Sequence, residues 1–372
     1  MNKREFLKNA LFMGVAAVAF PAQTIGRTLK ESSSKKRNMI KARYFETLED
    51  QKSFRCLLCP NKCVLKNGQT GICRTRFAEE NVLYTQAYGN PVAVHLDPVE
   101  KKPLYHFLPA SKVLSFGTAG CNFRCLNCQN ADISQVSPDD IQALDYNPEK
   151  LVRTARELNA EGIAFTYTEP TVFFEYMYDT AFLAQQAGIK TMMISNGYIN
   201  QEPLKELLKV MDAFNIDLKA FDDDIYKELC GGNLDSILGT LTTIRDSGKW
   251  LEITNLMVTG YTDKLDKFSE MASWLTENGF GEIPLHISRF FPAYKLADSD
   301  PTSVTVIEKA YKAALAAGIK YVYTGNLTTG AHENTLCPDC GNTIVSRAGY
   351  TAKITGLADN KCSKCGRVIP GI

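Results

Sequence analysis

From about Val113 onward the chain alternates short apolar, β-branched runs with longer stretches of helical periodicity. The predicted strands are Val113–Gly117, Ile163–Thr168, Thr191–Asn196, Ala213–Lys219, Leu251–Val258, Leu285–Phe290 and Tyr321–Thr324. Helical stretches between them include Pro148–Asn159, Val172–Gln186, Lys264–Asn278 and Ser303–Ala317. Ala160–Glu161–Gly162, Ala187–Gly188 and Ala317–Gly318 supply the glycines expected where helices stop. Strand–helix alternation at this spacing predicts an α/β fold, a partial or closed (β/α) barrel whose chemistry sits at the strand C-termini.

The N-terminus has a different pattern. Met1 to Lys8 is charged, Ala10 to Phe20 is apolar and Pro21–Ala22–Gln23 follows, the layout of a secretory signal. Lys3–Arg4–Glu5–Phe6–Leu7–Lys8 is similar to a twin-arginine signal with lysine in the first place, so export or membrane tethering is the expected localisation. Ser32–Ser33–Ser34–Lys35–Lys36–Arg37 reads as a solvated linker. Hydrophobic content of 45% and charged content of 22% are those of an ordinary globular protein. The net charge of +1 hides ten basic and two acidic residues within positions 1–44. The remainder is mildly acidic, and no nucleic-acid partner is expected.

Twelve cysteines change the picture most, because eleven of them fall into three groups and Cys230 stands alone. Tight Cys-x₂-Cys spacings in a large α/β chain favour metal ligation over disulfides. Cys121, Cys125 and Cys128 follow the first barrel strand directly, in Gly117–Thr118–Ala119–Gly120–Cys121–Asn122–Phe123–Arg124–Cys125–Leu126–Asn127–Cys128–Gln129–Asn130. Three thiolates can wrap one iron–sulfur cluster but leave one iron without a protein ligand. That vacancy suits a cosubstrate. An electron carrier would fill all four positions, and a non-catalytic electron-transfer or binding module is the alternative class.

Cys-x₃-Cys-x₂-Cys at the end of a first barrel strand resembles the radical S-adenosylmethionine (SAM) superfamily. Asp97–Pro98–Val99–Glu100–Lys101–Lys102–Pro103–Leu104–Tyr105–His106–Phe107, with the Cys121–Asn130 stretch, resembles the AmmeMemoRadiSam-system enzymes, relatives of pyruvate formate-lyase-activating enzymes. The resemblance implies a [4Fe–4S] cluster on the triad, with the unfilled iron binding SAM. It also implies a low-potential electron donor, reductive cleavage to a 5′-deoxyadenosyl radical, and hydrogen abstraction from an unidentified substrate, a partner protein or a small molecule. Where many relatives carry an aromatic residue before the third cysteine, this chain has Asn127.

The same resemblance assigns SAM contacts at other strand ends: Glu169 in Thr166–Tyr167–Thr168–Glu169–Pro170, Ser195 and Asn196, Asp217 and Lys219, and His286. Local spelling offers plainer readings. Glu169 ahead of Pro170 suits a helix cap, Ser195–Asn196–Gly197 a turn, and Asp217 with Lys219 an ion pair on one side of a strand. Arg289 and His106 are candidate substrate contacts, and Cys230 reads as a small buried hydrophobe.

The flanking groups are closed sets of four. Cys337-x₂-Cys340 and Cys362-x₂-Cys365, with strand-like Thr343–Val345 and Thr351–Ile354 between them, predict a zinc ribbon, a rubredoxin-like iron site being the rival. Cys56, Cys59, Cys63 and Cys73 could hold zinc or a second iron–sulfur cluster, with a slight lean to a metal that merely staples the segment. The expected organisation is a signal-like segment and linker (1–44), a cysteine-rich segment (45–112), the barrel (113–330) and the ribbon (331–372).

Overall fold

The computed structural model describes residues 39–49 and 52–372. The signal-like stretch lies outside the described residues. The end of the expected linker does not: Ile40–Lys41 is a strand paired with Thr85 and Tyr84. Among the described residues no helix is long and apolar enough to cross a membrane.

Eight strands form the central sheet: β1 (Ala93–Pro98), β2 (Lys112–Gly117), β3 (Gly162–Phe165), β4 (Lys190–Ser195), β5 (Ala213–Asp217), β6 (Trp250–Met257), β7 (Leu285–Arg289) and β8 (Val322–Gly325). They lie side by side in chain order, parallel throughout except that β1 runs antiparallel to β2. β1 and β8 are the two edges, so the sheet is a partial barrel, not a closed one. The seven strands read from the sequence are all present. β1 is an addition, drawn from the cysteine-rich segment.

One face of the sheet is covered by helices α1 (Pro148–Glu157), α2 (Phe174–Gln186), α3 (Gln201–Leu207), α4 (Asp223–Cys230), α5 (Leu234–Asp246), α6 (Leu265–Glu277) and α7 (Val304–Ala316). Leu114, Phe116, Ile163, Phe165, Phe214, Ile216 and Ile253 pack there against helix residues such as Leu151, Met177, Leu241 and Met271. Burying one such side chain contributes about 1.5–3 kcal/mol, so this face is a large source of stability. Helix starts follow the capping rules: Asn147, Asp222 and Asn233 each accept a backbone N–H from the first turn. Gly188 and Gly318 adopt the positive φ expected after a helix (72° and 103°). Gly162 does not serve that purpose, because Asn159 takes the left-handed position (φ 51°). Gly162 instead lets β3 approach β4, where a Cβ would stand 2.5 Å from Met192 Cε.

The other face is the barrel interior. Val99 and Leu104 pack on Val113, Ala164, Met192 and Ala213, so the segment after β1 fills the lower part of the barrel. Buried Glu252 anchors that plug by accepting the Tyr105 and His106 amides (both 2.9 Å), Trp250 Nε1 (3.0 Å) and His286 Nε2 (2.6 Å). Burial alone would raise the Glu252 pKa, but the His286 bond and the other donors hold it down to about 2.

His106 is fully buried. Its Nδ1 lies 2.7 Å from the Pro370 carbonyl, which can only accept, so Nδ1 carries the proton and Nε2 accepts from Tyr323 Oη at 2.7 Å. It therefore contacts no substrate, and the ring is neutral, burial pushing its pKa down to about 4. In the unfolded chain a histidine protonates near pH 6.5. The fold therefore loses stability as pH falls from about 6.5 towards 4, in total roughly 3 kcal/mol, because only the unfolded state gains the proton. Unfolding midpoints across that range should slope less steeply in His106→Asn; an equal slope excludes the effect.

Two small modules flank the sheet. On the N-terminal side, Phe45–Thr47, Ser53–Cys56 and Val64–Lys66 form one antiparallel sheet, and Ile40–Lys41, Val82–Thr85 and Arg76–Glu79 another. On the C-terminal side Thr335–Leu336, Thr343–Ala348 and Thr351–Ile354 form a sheet beside the hairpin Leu357–Ala358/Lys361–Cys362.

Candidate functional site

β2 ends in the loop that carries the triad. At its start a Cβ on Gly117 would stand 2.4 Å from the Thr166 carbonyl oxygen. Gly120, at φ 95°, lets the loop pass so close to the N-terminal module that a Cβ would stand 2.5 Å from the Cys73 carbonyl oxygen. Beyond Cys121 the loop is pinned from both sides. Arg124 N and Leu126 N donate to the Cys230 and Leu229 carbonyls at the end of α4 (both 2.9 Å). Asn122 Nδ2 donates to the Tyr198 carbonyl (2.8 Å), and buried Phe123 packs on Tyr198 and Tyr226.

The three thiols open into one cavity of about 220 Å³ at the C-terminal ends of the strands. It is lined also by Asn127, Gln129, Asn130, Thr166, Tyr167, Thr168, Ser195, Asn196, Asp217, Lys219 and Leu256. Asn196 bridges the loop, its Nδ2 lying 2.8 Å from Asn122 Oδ1 and 3.9 Å from Cys121 Sγ. Ser134 Oγ lies 3.3 Å from Cys128 Sγ. Lys219 Nζ pairs with Asp217 Oδ2 at 2.6 Å, both side chains partly open to the cavity.

The thiols differ electrostatically. Burial pushes Cys121 well up, and Glu169 and Cys125 add to that. Cys125 is pulled down, first by a hydrogen bond from Cys230 and then, against burial, by the Lys219 charge. Cys230 is correspondingly pushed well up. Cys230 is buried as expected, and it is also a partner of a triad thiol, which its isolation in the sequence concealed.

Two assigned SAM contacts stand elsewhere. Glu169 is fully buried and does not line the cavity. One oxygen accepts Thr171 N (2.9 Å) and Ser195 Oγ (2.7 Å), and the other accepts Asn196 N (2.8 Å). The helix-cap reading prevails: Glu169 caps the short turn Pro170–Phe173 and fixes Ser195 and Asn196 from behind. His286 is bonded to Glu252 and lines a second cavity of about 370 Å³, with Tyr105, Ser288 and Thr324 among its walls. It is the second residue of β7 and is not among the residues that line the triad cavity. Arg289 Nε is bonded to the Thr302 carbonyl at 2.6 Å.

Tyr167, which the sequence reading did not assign, is prominent here. It adopts a positive φ (71°) at the cavity wall, its carbonyl accepts from Asn130 Nδ2 (3.0 Å), and its hydroxyl donates to Asp97 Oδ2 (2.8 Å). Against the upward push of burial, hydrogen bonds from Lys102, Tyr167 and Lys101 hold Asp97 well below the usual carboxylate range. The Asp97–Lys102 stretch quoted above for its wording thus reaches the site through Tyr167.

Soft thiolate donors on one cavity fit an iron–sulfur cluster, and with three of them the fourth iron stays open. Residues 116–275 match the radical SAM superfamily. The chain is 43% identical over 333 residues to uncharacterized protein MJ0808 of Methanocaldococcus jannaschii, covering 89% of this chain and 99% of that one. It is 25% identical over 175 residues to the pyruvate formate-lyase 1-activating enzyme of Escherichia coli K12, covering 45% of this chain and 71% of that enzyme. Among solved structures, Streptococcus suis SuiB bound to S-adenosylmethionine aligns at 14% identity and TM-score 0.48, covering 65% of this chain and 57% of that one. The chain belongs to the radical SAM superfamily and is an enzyme of that kind. Within the superfamily its relatives include enzymes that activate pyruvate formate-lyase and 4-hydroxyphenylacetate decarboxylase.

Proposed function

We propose that the chain is an activating-type radical SAM enzyme that draws a hydrogen atom from a partner protein. The observation that carries this reading is the cavity in which Cys121, Cys125 and Cys128 share walls with Ser195, Asn196, Asp217 and Lys219. When bound there, a [4Fe–4S] cluster supplies one electron for reductive cleavage of SAM. The residues of the chain prepare that event. Three thiolates hold the cluster and leave one iron for the cosubstrate. Glu169 fixes Ser195 and Asn196 at the wall, so their positions are set before a ligand arrives. Asp217 and Lys219 present one charge of each sign, suited to the ammonium and carboxylate of an amino acid. Similarity to activating enzymes supports a protein substrate, and a low-potential protein donor supplies the electron.

The C-terminal cysteines form a second, structural centre. Sulfurs of Cys337 and Cys365 lie 3.5 Å apart, and those of Cys340 and Cys362 3.6 Å. Zinc–sulfur bonds of about 2.3 Å in a tetrahedron place sulfurs about 3.8 Å apart, so a single zinc ion fits. The catalytic reading is tested with anaerobically reconstituted protein, dithionite and SAM. Methionine and 5′-deoxyadenosine should form in equal amounts, and a cluster-loaded sample that yields neither refutes it.

A further inference from the structure

The N-terminal cysteines present a different geometry from the C-terminal four. Among the described residues, the C-terminal set is the one group of ligand atoms that all lie within 4.8 Å of one another. Cys56, Cys59, Cys63 and Cys73 line the walls of one common pocket, and no three of their sulfurs meet that limit. The central triad likewise falls outside that limit, and a cube of four irons needs a wider spacing than one ion, because each thiolate binds its own metal. Arg76 lines the same pocket. It is 1% exposed, its two terminal nitrogens are spent on Glu175, and its Nε–H has no partner. A buried N–H without a partner, on an arginine that lines a pocket of four thiols, suits a polynuclear centre whose sulfides accept hydrogen bonds.

From this we infer that Cys56, Cys59, Cys63 and Cys73 bind a second iron–sulfur cluster, which passes single electrons to the centre at Cys121, Cys125 and Cys128. This reverses the sequence-based lean towards a stapling metal. The two sites share a wall. Asn122, next to Cys121, lines the N-terminal pocket and its carbonyl accepts from Asn61 Nδ2 at 2.9 Å. On the other side of Cys121, Gly120 is pressed against the Cys73 backbone. In the transfer one electron leaves the N-terminal cluster, which is oxidised by one unit, and the triad centre is reduced by one; no bond or proton moves. The reductant is a low-potential one-electron donor, dithionite in the test. The electron route rests on the proposed function of the triad, whereas the cluster site does not.

The full chain is reconstituted anaerobically as wild type, as Cys121→Ala/Cys125→Ala/Cys128→Ala and as Cys56→Ser/Cys59→Ser. Wild type should bind about eight irons, and the triad variant should keep about four with an electron paramagnetic resonance signal after dithionite that SAM does not alter. A triad variant with zinc and no iron overturns the site, as does wild type with about four irons and a loaded triad. Protein reduced, freed of dithionite and then given SAM should release two 5′-deoxyadenosines per chain in wild type and one in the Cys56/Cys59 variant. Equal yields overturn the route. Failure of the catalytic reading appears separately, as no 5′-deoxyadenosine from either protein while the triad variant still holds iron.

Discussion

Cys125→Ala is expected to abolish 5′-deoxyadenosine formation and to leave the fold in place. Cys125 has its thiol pKa pulled down, by a hydrogen bond from Cys230 and the charge of Lys219. Its removal deletes a ligand outright, so the loss should exceed the roughly 100-fold that an outer-shell change costs. The loop should survive, because its anchors are the Arg124 and Leu126 amides on α4 and the Asn122 bond to Tyr198. The check pairs anaerobic product assay with circular dichroism. Retained turnover in a folded variant would remove Cys125 from the ligand set. Cys230→Ala, by contrast, should keep the iron and weaken the centre by at most the outer-shell amount.

The second large effect is on stability. Arg76 and Glu175 form an ion pair whose side chains are 1% and 4% exposed, with contacts of 2.8 and 3.1 Å. Glu175 Oε1 also accepts the Arg43 amide at 2.6 Å, so the pair ties the N-terminal module to α2. Arg76→Met leaves a buried carboxylate facing an apolar chain and should cost about 3–5 kcal/mol. Adding Glu175→Met removes the stranded charge and should recover much of that loss, since apolar replacement of a whole buried pair is often neutral. Anaerobic urea midpoints of the two variants test this. A double variant no more stable than the single one would mean that the coupling to Arg43, not the stranded charge, sets the cost.

The sheet was legible because its strands are short β-branched runs bounded by helical periodicity, and parallel strands buried on both faces keep that signature. β1 escaped because Ala93–Pro98 combines an exposed histidine with a terminal proline, a weak strand spelling rescued by pairing along all six residues with β2. The triad was legible because its three ligands lie within eight residues of one loop. Glu169 and His286 are bonded to protein groups here, which the sequence hides: a carboxylate or imidazole at a strand end looks the same whether it faces a ligand or a protein partner. Only the partners decide, and two of the three for Glu169 are 26 and 27 residues away. Tyr167 gave no signal, since its significance lies in a backbone conformation and in Asp97, 70 residues earlier.

The barrel's lower end has a kinetic consequence. His106 is bonded to the carbonyl of Pro370, 264 residues later in the chain, and Arg347 Nη2 reaches the Tyr105 carbonyl across 242. Contacts this remote close very large loops, and closing such loops slows folding. Pro370 follows Cys365 by five residues, so a metal held by the C-terminal thiols, as proposed, would help to fix the carbonyl that His106 uses. If the C-terminal thiols take up a metal, as proposed, metal starvation should show as proteolytic sensitivity of the segment around residue 106 as well as loss of the C-terminal module.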